Sequence, residues 1–311
     1  MRVFIAGATG AIGRQLVPQL VQSGHEVTGM TRSEGRAEWL KEQGAHAFIG
    51  DVYDVAALES AVAASAPEVV IDQLTALPAS FNARSPQTYA ATNRLRREGT
   101  RNLIAAAQAA GARRLIAQSI AFLYTPEGEP IKDEEARPFV DAPAPFGAAI
   151  AAALDLEHQV TGAAHLEGVV LRYGYLYGPG TGFAADGPTA RAVRQRRYPL
   201  VGTGGGIFSF LHVTDAAGVA LAAVERGEPG IYNAVDDDPA AMREWLPVYA
   251  QALGAPPPQS IPVWVARALA GSVAVYLATE LRGAANARAK RDLGWVPRYA
   301  SWRAGFSAAL G

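Results

Sequence analysis

The first residues that could do chemistry lie close to the start of the chain, in the run Val3-Phe4-Ile5-Ala6-Gly7-Ala8-Thr9-Gly10-Ala11-Ile12-Gly13. An apolar segment leads into glycines three apart, and a helical pattern follows. Gly7 permits a tight turn, Gly10 lets the backbone approach a pyrophosphate, and Gly13 lets the helix settle against the strand. The amides opening that helix, around Thr9, Ala11 and Ile12, would then face the phosphates with the positive end of the helix dipole. The next informative position is the end of the second strand, about 20 residues on, where a carboxylate would bind a ribose 2′-hydroxyl. Here the chain reads Gly29-Met30-Thr31-Arg32-Ser33, with a guanidinium and two hydroxyls instead. Arg32 and Ser33, helped by Arg14 or Arg36, suit a 2′-phosphate, which a guanidinium grips bidentately. The cofactor expected is NADPH/NADP+.

The elements that must hold these residues follow from the pattern. Short β-branched runs at Arg2–Ala6, Glu26–Met30, Ala47–Ile49, Glu68–Asp72, Arg113–Ser119 and Gly168–Arg172 read as strands. Ile12–Gln22, Arg36–Gln43, Val55–Ala64, Pro86–Ala110 and Phe146–Ala164 carry apolar residues at helical spacing. Such alternation implies an α/β fold, a Rossmann-type doubly wound parallel sheet buried on both faces. Ile207–Val213 and Gly230–Ala234 read as strands returning to it, and from Asp236 the chain is helical, broken at Pro256-Pro257-Pro258. The expected organisation is a dinucleotide-binding domain, 1–178 with 207–235, and a smaller, interleaved, mostly helical substrate domain, 179–206 with 236–311.

Composition bounds the function. The chain has 311 residues, 50% hydrophobic and 18% charged, with net charge -1. That describes a folded chain without the concentrated basic face that nucleic acid requires. Absence of cysteine excludes disulfides, thiolate-held metals and a thiol nucleophile. His25, His46, His158 and His165 are scattered, so no metal is expected. The longest apolar stretch, Ala268 to Thr279, falls below the ~18 residues of a membrane span. A soluble, cytoplasmic protein with no membrane partner is expected. Asp133-Glu134-Glu135 reads as a solvated loop.

In motif order the chain resembles the short-chain dehydrogenase/reductase superfamily in its extended, epimerase/dehydratase-like form. Gly7–Gly13 matches its phosphate turn, and Gly50-Asp51-Val52 its Gly-Asp pair, which implies an adenine contact for Asp51 and Val52. Val69–Asp72 with the following Leu74 and Thr75 resembles its fourth strand, and Glu98-Gly99-Thr100 its next helix. Leu171-Arg172-Tyr173-Gly174-Tyr175-Leu176-Tyr177-Gly178-Pro179 is similar to a run whose start, at Tyr173, Gly174 and Tyr175, lies against the nicotinamide. Phe210–Asp215 and Asp292-Leu293-Gly294-Trp295 resemble two late signatures. The resemblance also implies a homo-oligomer through the helix Glu98–Ala110.

The catalytic positions depart from that pattern. The superfamily's Tyr-x-x-x-Lys falls on Phe146 and Ile150, and no Tyr-x-x-x-Lys exists anywhere in the chain. The catalytic Ser/Thr falls on Ile120, with Ser119 adjacent but on the opposite strand face, and the relay asparagine falls on Arg96, which then flanks the cofactor. Phe208 occupies the place of an arginine that binds diphosphate in nucleotide-sugar members. The pocket expected from Phe81, Phe122, Phe146, Phe183 and Phe208 is aromatic and suits a flat hydrophobic ligand. Loss of a general acid removes about 3–5 kcal/mol of barrier lowering, less than the ~7–11 kcal/mol available from orientation. The residues thus imply an NADPH-dependent ketoreductase of an aromatic, polyketide-like ketone. It would resemble atypical superfamily members of antibiotic biosynthesis, angucyclinone ketoreductases among them, that lack the Tyr/Lys pair. Two alternatives remain at this level: a non-enzymatic NADP(H)-binding sensor, and an epimerase or dehydratase using a displaced Tyr124, Tyr173 or Tyr175. Arg32→Ala is expected to weaken NADPH binding about tenfold or more and leave NADH binding unchanged, as read by fluorescence titration, because one charge-assisted contact is lost.

Overall fold

The computed structural model describes residues 1–78 and 82–310. The expected pocket residue Phe81 lies outside the described residues. Seven strands form one parallel sheet: β1 Arg2–Ala6, β2 Glu26–Thr31, β3 His46–Ile49, β4 Val69–Asp72, β5 Arg114–Ile120, β6 Glu167–Tyr173 and β7 Gly230–Ala234. Their order is β3-β2-β1-β4-β5-β6-β7. Ala6 at the end of β1 stands opposite Met30 on one side and Asp72 on the other. The winding reverses between β1 and β4, which opens a crevice beyond the carboxyl ends of those strands.

Helices cover both faces because successive strand residues are apolar on both. On one face Leu16, Val17 and Leu20 of α1 (Gly13–Gln22) meet Val213, Ala216 and Ala220 of α8 (Val213–Glu225) over Ile5 and Ile71. On the other, α3 (Val55–Ser65), α5 (Thr100–Ala109) and α6 (Phe146–Thr161) bury Leu58, Leu103 and Leu156 against Phe4, Val70 and Leu115. Helix α2 (Glu34–Glu42) flanks β3, and α4 (Gln87–Arg94) precedes α5. A third apolar cluster stands beyond the sheet, where α7 (Pro188–Arg194), α9 (Met242–Ala252), α10 (Val263–Thr279) and α12 (Trp302–Leu310) gather Trp245, Tyr249, Tyr276 and Phe306. Helix α11 (Ala287–Leu293) packs against α8 and β7. None of the helices among the described residues is long and apolar enough to cross a membrane.

Three local expectations are corrected. The helix expected over Pro86–Ala110 is interrupted by a π turn at Leu95–Gly99, where one extra residue per turn turns Arg96 inward. The strand expected over Ile207–Val213 is two short pieces, Ile207–Phe208 and Phe210–His212. The first piece pairs with Ala240–Ala241 and the second with Tyr175–Tyr177, so the chain changes partner at Ser209, and the His212 ring accepts the Thr214 amide to start α8 one residue early. The acidic loop is not wholly solvated, since Glu134 Oε1 accepts the Asn233 amide at 2.7 Å.

Helix α10 is broken at Gly271, whose φ of 86° lies in the left-handed region. The Arg84 guanidinium donates to the carbonyls of Ala268 and Leu269 at the end of the first half, and a Cβ at Gly271 would lie 2.8 Å from Arg84 Cγ. Gly271→Ala is therefore expected to lower stability by about 1–2 kcal/mol, through backbone strain and displacement of Arg84, measurable by urea unfolding.

Candidate active site

The glycine-rich turn joins β1 to α1 in the crevice. A Cβ on Gly7 would lie 2.6 Å from the Gln73 carbonyl oxygen, and one on Gly13 would lie 2.4 Å from that of Ala8. The turn therefore needs both glycines to bring β1, β4 and α1 this close. The Gly10 amide closes the turn onto the Gly7 carbonyl at 3.0 Å, while the amides of Ala11, Ile12 and Gly13 have no acceptor among the described residues. Free amides at a helix N-terminus, beside an exposed Gly10, fit the diphosphate of a dinucleotide. Thr9 and Thr31 hydroxyls lie 3.4 Å apart and tie the turn to the end of β2.

At that end Arg32 projects into solvent, its guanidinium 3.9 Å from Asp51 Oδ2. Ser33 is exposed beside it, and Arg14 is occupied over the Trp39 ring. Asp51 Oδ1 accepts the Tyr53 amide, and Val52 is buried with its carbonyl held by Asn102. These residues, with Thr31 in place of a carboxylate, fit the adenosine half of a dinucleotide. Asp72 accepts from the Leu74 amide and the Thr100 hydroxyl, and burial pushes its carboxyl up to about 6. Thr75 is exposed next to it.

Beyond β5 and β6 the aromatic residues converge. Phe122 stacks on Tyr175 at 4.5 Å, Tyr175 meets Phe208 at 4.6 Å and Phe183 edge-on at 6.2 Å, and Phe146 lies parallel to Phe122 at 6.5 Å. Phe122 and Tyr175 are half-buried and form the accessible wall, whereas Phe146, Phe183 and Phe208 are buried behind them. Tyr276 from α10 joins this group against Phe146 at 6.1 Å.

Ile120, Phe146 and Ile150 all belong to this apolar cluster. Ser119 faces the other way, and its hydroxyl donates to Glu157 Oε1 at 2.6 Å. Glu157 also forms a buried two-point ion pair with Arg172, at 2.6 and 2.8 Å. Arg172 donates onward to the Tyr124 hydroxyl, which donates to Asn233 Oδ1 at 2.6 Å. Tyr173 is likewise engaged, accepting from Gln73 and donating to the Ala216 carbonyl. Gly174 is held between the Ala234 carbonyl and the Ser209 backbone, so this segment is locked. Burial pushes the phenols of Tyr89, Tyr124 and Tyr198 up to about 12, and those of Tyr173 and Tyr175 higher still. Such phenols are poor proton donors at neutral pH. Glu157, Asn233 and Tyr276 escape a reading of motifs. The signal for Glu157 is its place on the apolar face of α6 with Ala149, Ala153 and Val160, where a carboxylate demands a buried partner.

Residues 3–234 match the NAD dependent epimerase/dehydratase family. The chain belongs to that family. It is a nicotinamide-dependent oxidoreductase of that type, in keeping with its reductase relatives. It is 49% identical over 306 residues to a 3-diazoavenalumate denitrifying reductase from a Streptomyces species, covering 98% of this chain and 99% of the relative. It is 29% identical, over 82% of this chain and 74% of the other, to a 4-hydroxy-2-methyl-3-oxo-4-farnesyl-3,4-dihydroquinoline-1-oxide ketoreductase from Stigmatella aurantiaca. The fold is that of the Thermotoga maritima UDP-glucose 4-epimerase, with a TM-score of 0.78 at 20% identity over 100% of this chain and 97% of that one.

Tyr124→Phe separates a structural hydroxyl from a catalytic one. Removing it leaves Arg172 and Asn233 without their shared partner, so stability is expected to fall by about 1–3 kcal/mol. Nicotinamide-dependent turnover of the folded fraction is expected to change by less than about threefold, well short of the loss of a general acid. Thermal unfolding and steady-state rates on the same sample check both.

Proposed function

We propose that this protein transfers a hydride from NADPH to an aromatic, hydrophobic acceptor without drawing on a protein acid. What supports this reading is that Ile120, Phe146 and Ile150, on which the family resemblance places the relay, lie inside an aromatic cluster whose phenols are all shifted away from proton donation. Two acceptor classes fit. The first is an aromatic diazo compound, supported by the name of the 49% identical relative. When bound, the reduced nicotinamide supplies a hydride, and on an arenediazonium carbon this forms one C–H bond while the C–N bonding pair departs in dinitrogen. No proton enters that exchange, so a pocket without an acid suffices. The accessible parts of Phe122 and Tyr175 would border the ring and hold it in an apolar setting. Phe146 and Ile150 would keep water from the reacting carbon.

The second class is an aromatic ketone, supported by the ketoreductase relative. Reduction then leaves an alkoxide that must be protonated, and a neighbouring phenol of the acceptor or water would provide the proton. The same walls serve both acceptors.

The test offers an ortho-hydroxy arenediazonium and a polycyclic aromatic ketone separately, each with NADPH deuterated at the transferred position. With the diazonium, one NADPH is expected to disappear per dinitrogen released, with deuterium on the ring carbon. The rate is expected to be flat from about pH 7 to about pH 9, because burial raises the phenols of Tyr175, Tyr198 and Tyr276 well above that range and no lysine stands among them. Tight NADPH binding with neither acceptor consumed would reject the reductase reading.

A further inference from the structure

We propose that Arg96 binds the hydroxyls of the dinucleotide's second ribose, the one beside the nicotinamide, and so sets where the reactive ring lies. The proposal rests on dinucleotide binding alone, not on the identity of the acceptor. Arg96 enters from the π turn Leu95–Gly99, and only 7% of it is exposed. Its guanidinium makes one hydrogen bond among the described residues, from Nη1 to the Ala149 carbonyl in the first turns of α6 at 3.1 Å. A guanidinium carries five N–H donors, and leaving a buried charge short of partners is costly.

The neighbouring carboxylates do not fill the gap. Asp72 and Glu157 act on the Arg96 charge electrostatically, but neither forms a hydrogen bond or close ion pair with it. Asp72 is engaged by Leu74 and Thr100, and Glu157 by Arg172 and Ser119. Burial accordingly holds the guanidinium pKa down at about 10. The remaining donors have no acceptor among the described residues and are open to the oxygens of a bound molecule.

Position selects which oxygens. The turn after β1 and the start of α1 fit the diphosphate, and Arg32 with Asp51 at the ends of β2 and β3 fits the adenosine side. The other half of a dinucleotide must then cross the carboxyl ends of β4 and β5. Arg96 lies between the end of β4 at Asp72 and the first turns of α6 at Ala149. The group arriving there is a ribose with two hydroxyls, which a fork of N–H donors can hold.

The experiment compares two cofactor fragments by calorimetry: 2′-phospho-ADP-ribose, which contains the second ribose, and 2′,5′-ADP, which lacks it. Arg96→Met is expected to weaken 2′-phospho-ADP-ribose and NADPH about tenfold while leaving 2′,5′-ADP unchanged, the loss of one charged hydrogen-bonding group. Arg96→Lys, which keeps the charge but not the fork, is expected to lose about threefold on the same two ligands. It decides the matter should the methionine variant fail to fold. Equal weakening of both fragments would assign Arg96 a structural role, and unchanged affinity for both would also overturn the proposal. If the fragments behave as expected while no acceptor is reduced, the acceptor reading falls and this one stands.

Discussion

The site depends on two opposite charges sealed inside the protein. Arg172 sits on β6 and Glu157 on α6, and their paired contacts fix how that helix lies across the sheet. Ser119 of β5, the Tyr124 hydroxyl and Asn233 of β7 complete the network, so three strands and one helix share a single polar knot. An isolated charge at that depth would cost several kcal/mol, so the partners hold one another in a single arrangement. Because Phe146 opens the same helix, the knot also decides how far that ring advances toward Phe122.

Around this knot the two halves of the site have different chemistry. The dinucleotide side is built from backbone amides, glycines and an exposed arginine, a surface made for phosphates. The acceptor side is built from rings, and what polar groups it has are consumed internally or raised out of the titration range of neutral water. An environment of this kind orients a flat molecule and excludes solvent, but it asks the molecule to bring its own reactivity. On the reading proposed above, an acceptor that loses dinitrogen, or one with an internal hydrogen bond, would meet that demand.

The strands and most helices were legible because burial on both sheet faces leaves continuous apolar runs, and Gly7, Gly10 and Gly13 announce the crevice by spacing alone. The aromatic grouping of Phe122, Phe146, Phe183 and Phe208 was also legible from residue type, though which rings stand in front depends on packing. The π turn was not legible, since one extra residue leaves the helical periodicity of 86–110 almost unchanged. Nor was the role of Glu134, whose partner Asn233 lies 99 residues away and is set by the return of the chain to β7. Long-range polar pairing is a property of the fold, and local pattern carries little of it.

The break in α10 has a mechanical meaning. Its second half carries Tyr276 into the ring cluster, while its first half is fastened to Arg84 on the segment that follows β4. Two carbonyl contacts from one exposed side chain thus fasten the segment after β4 to a rod with a joint in it. Where the Tyr276 ring stands against Phe146 is therefore tied to one glycine and one surface arginine, both remote from the sheet.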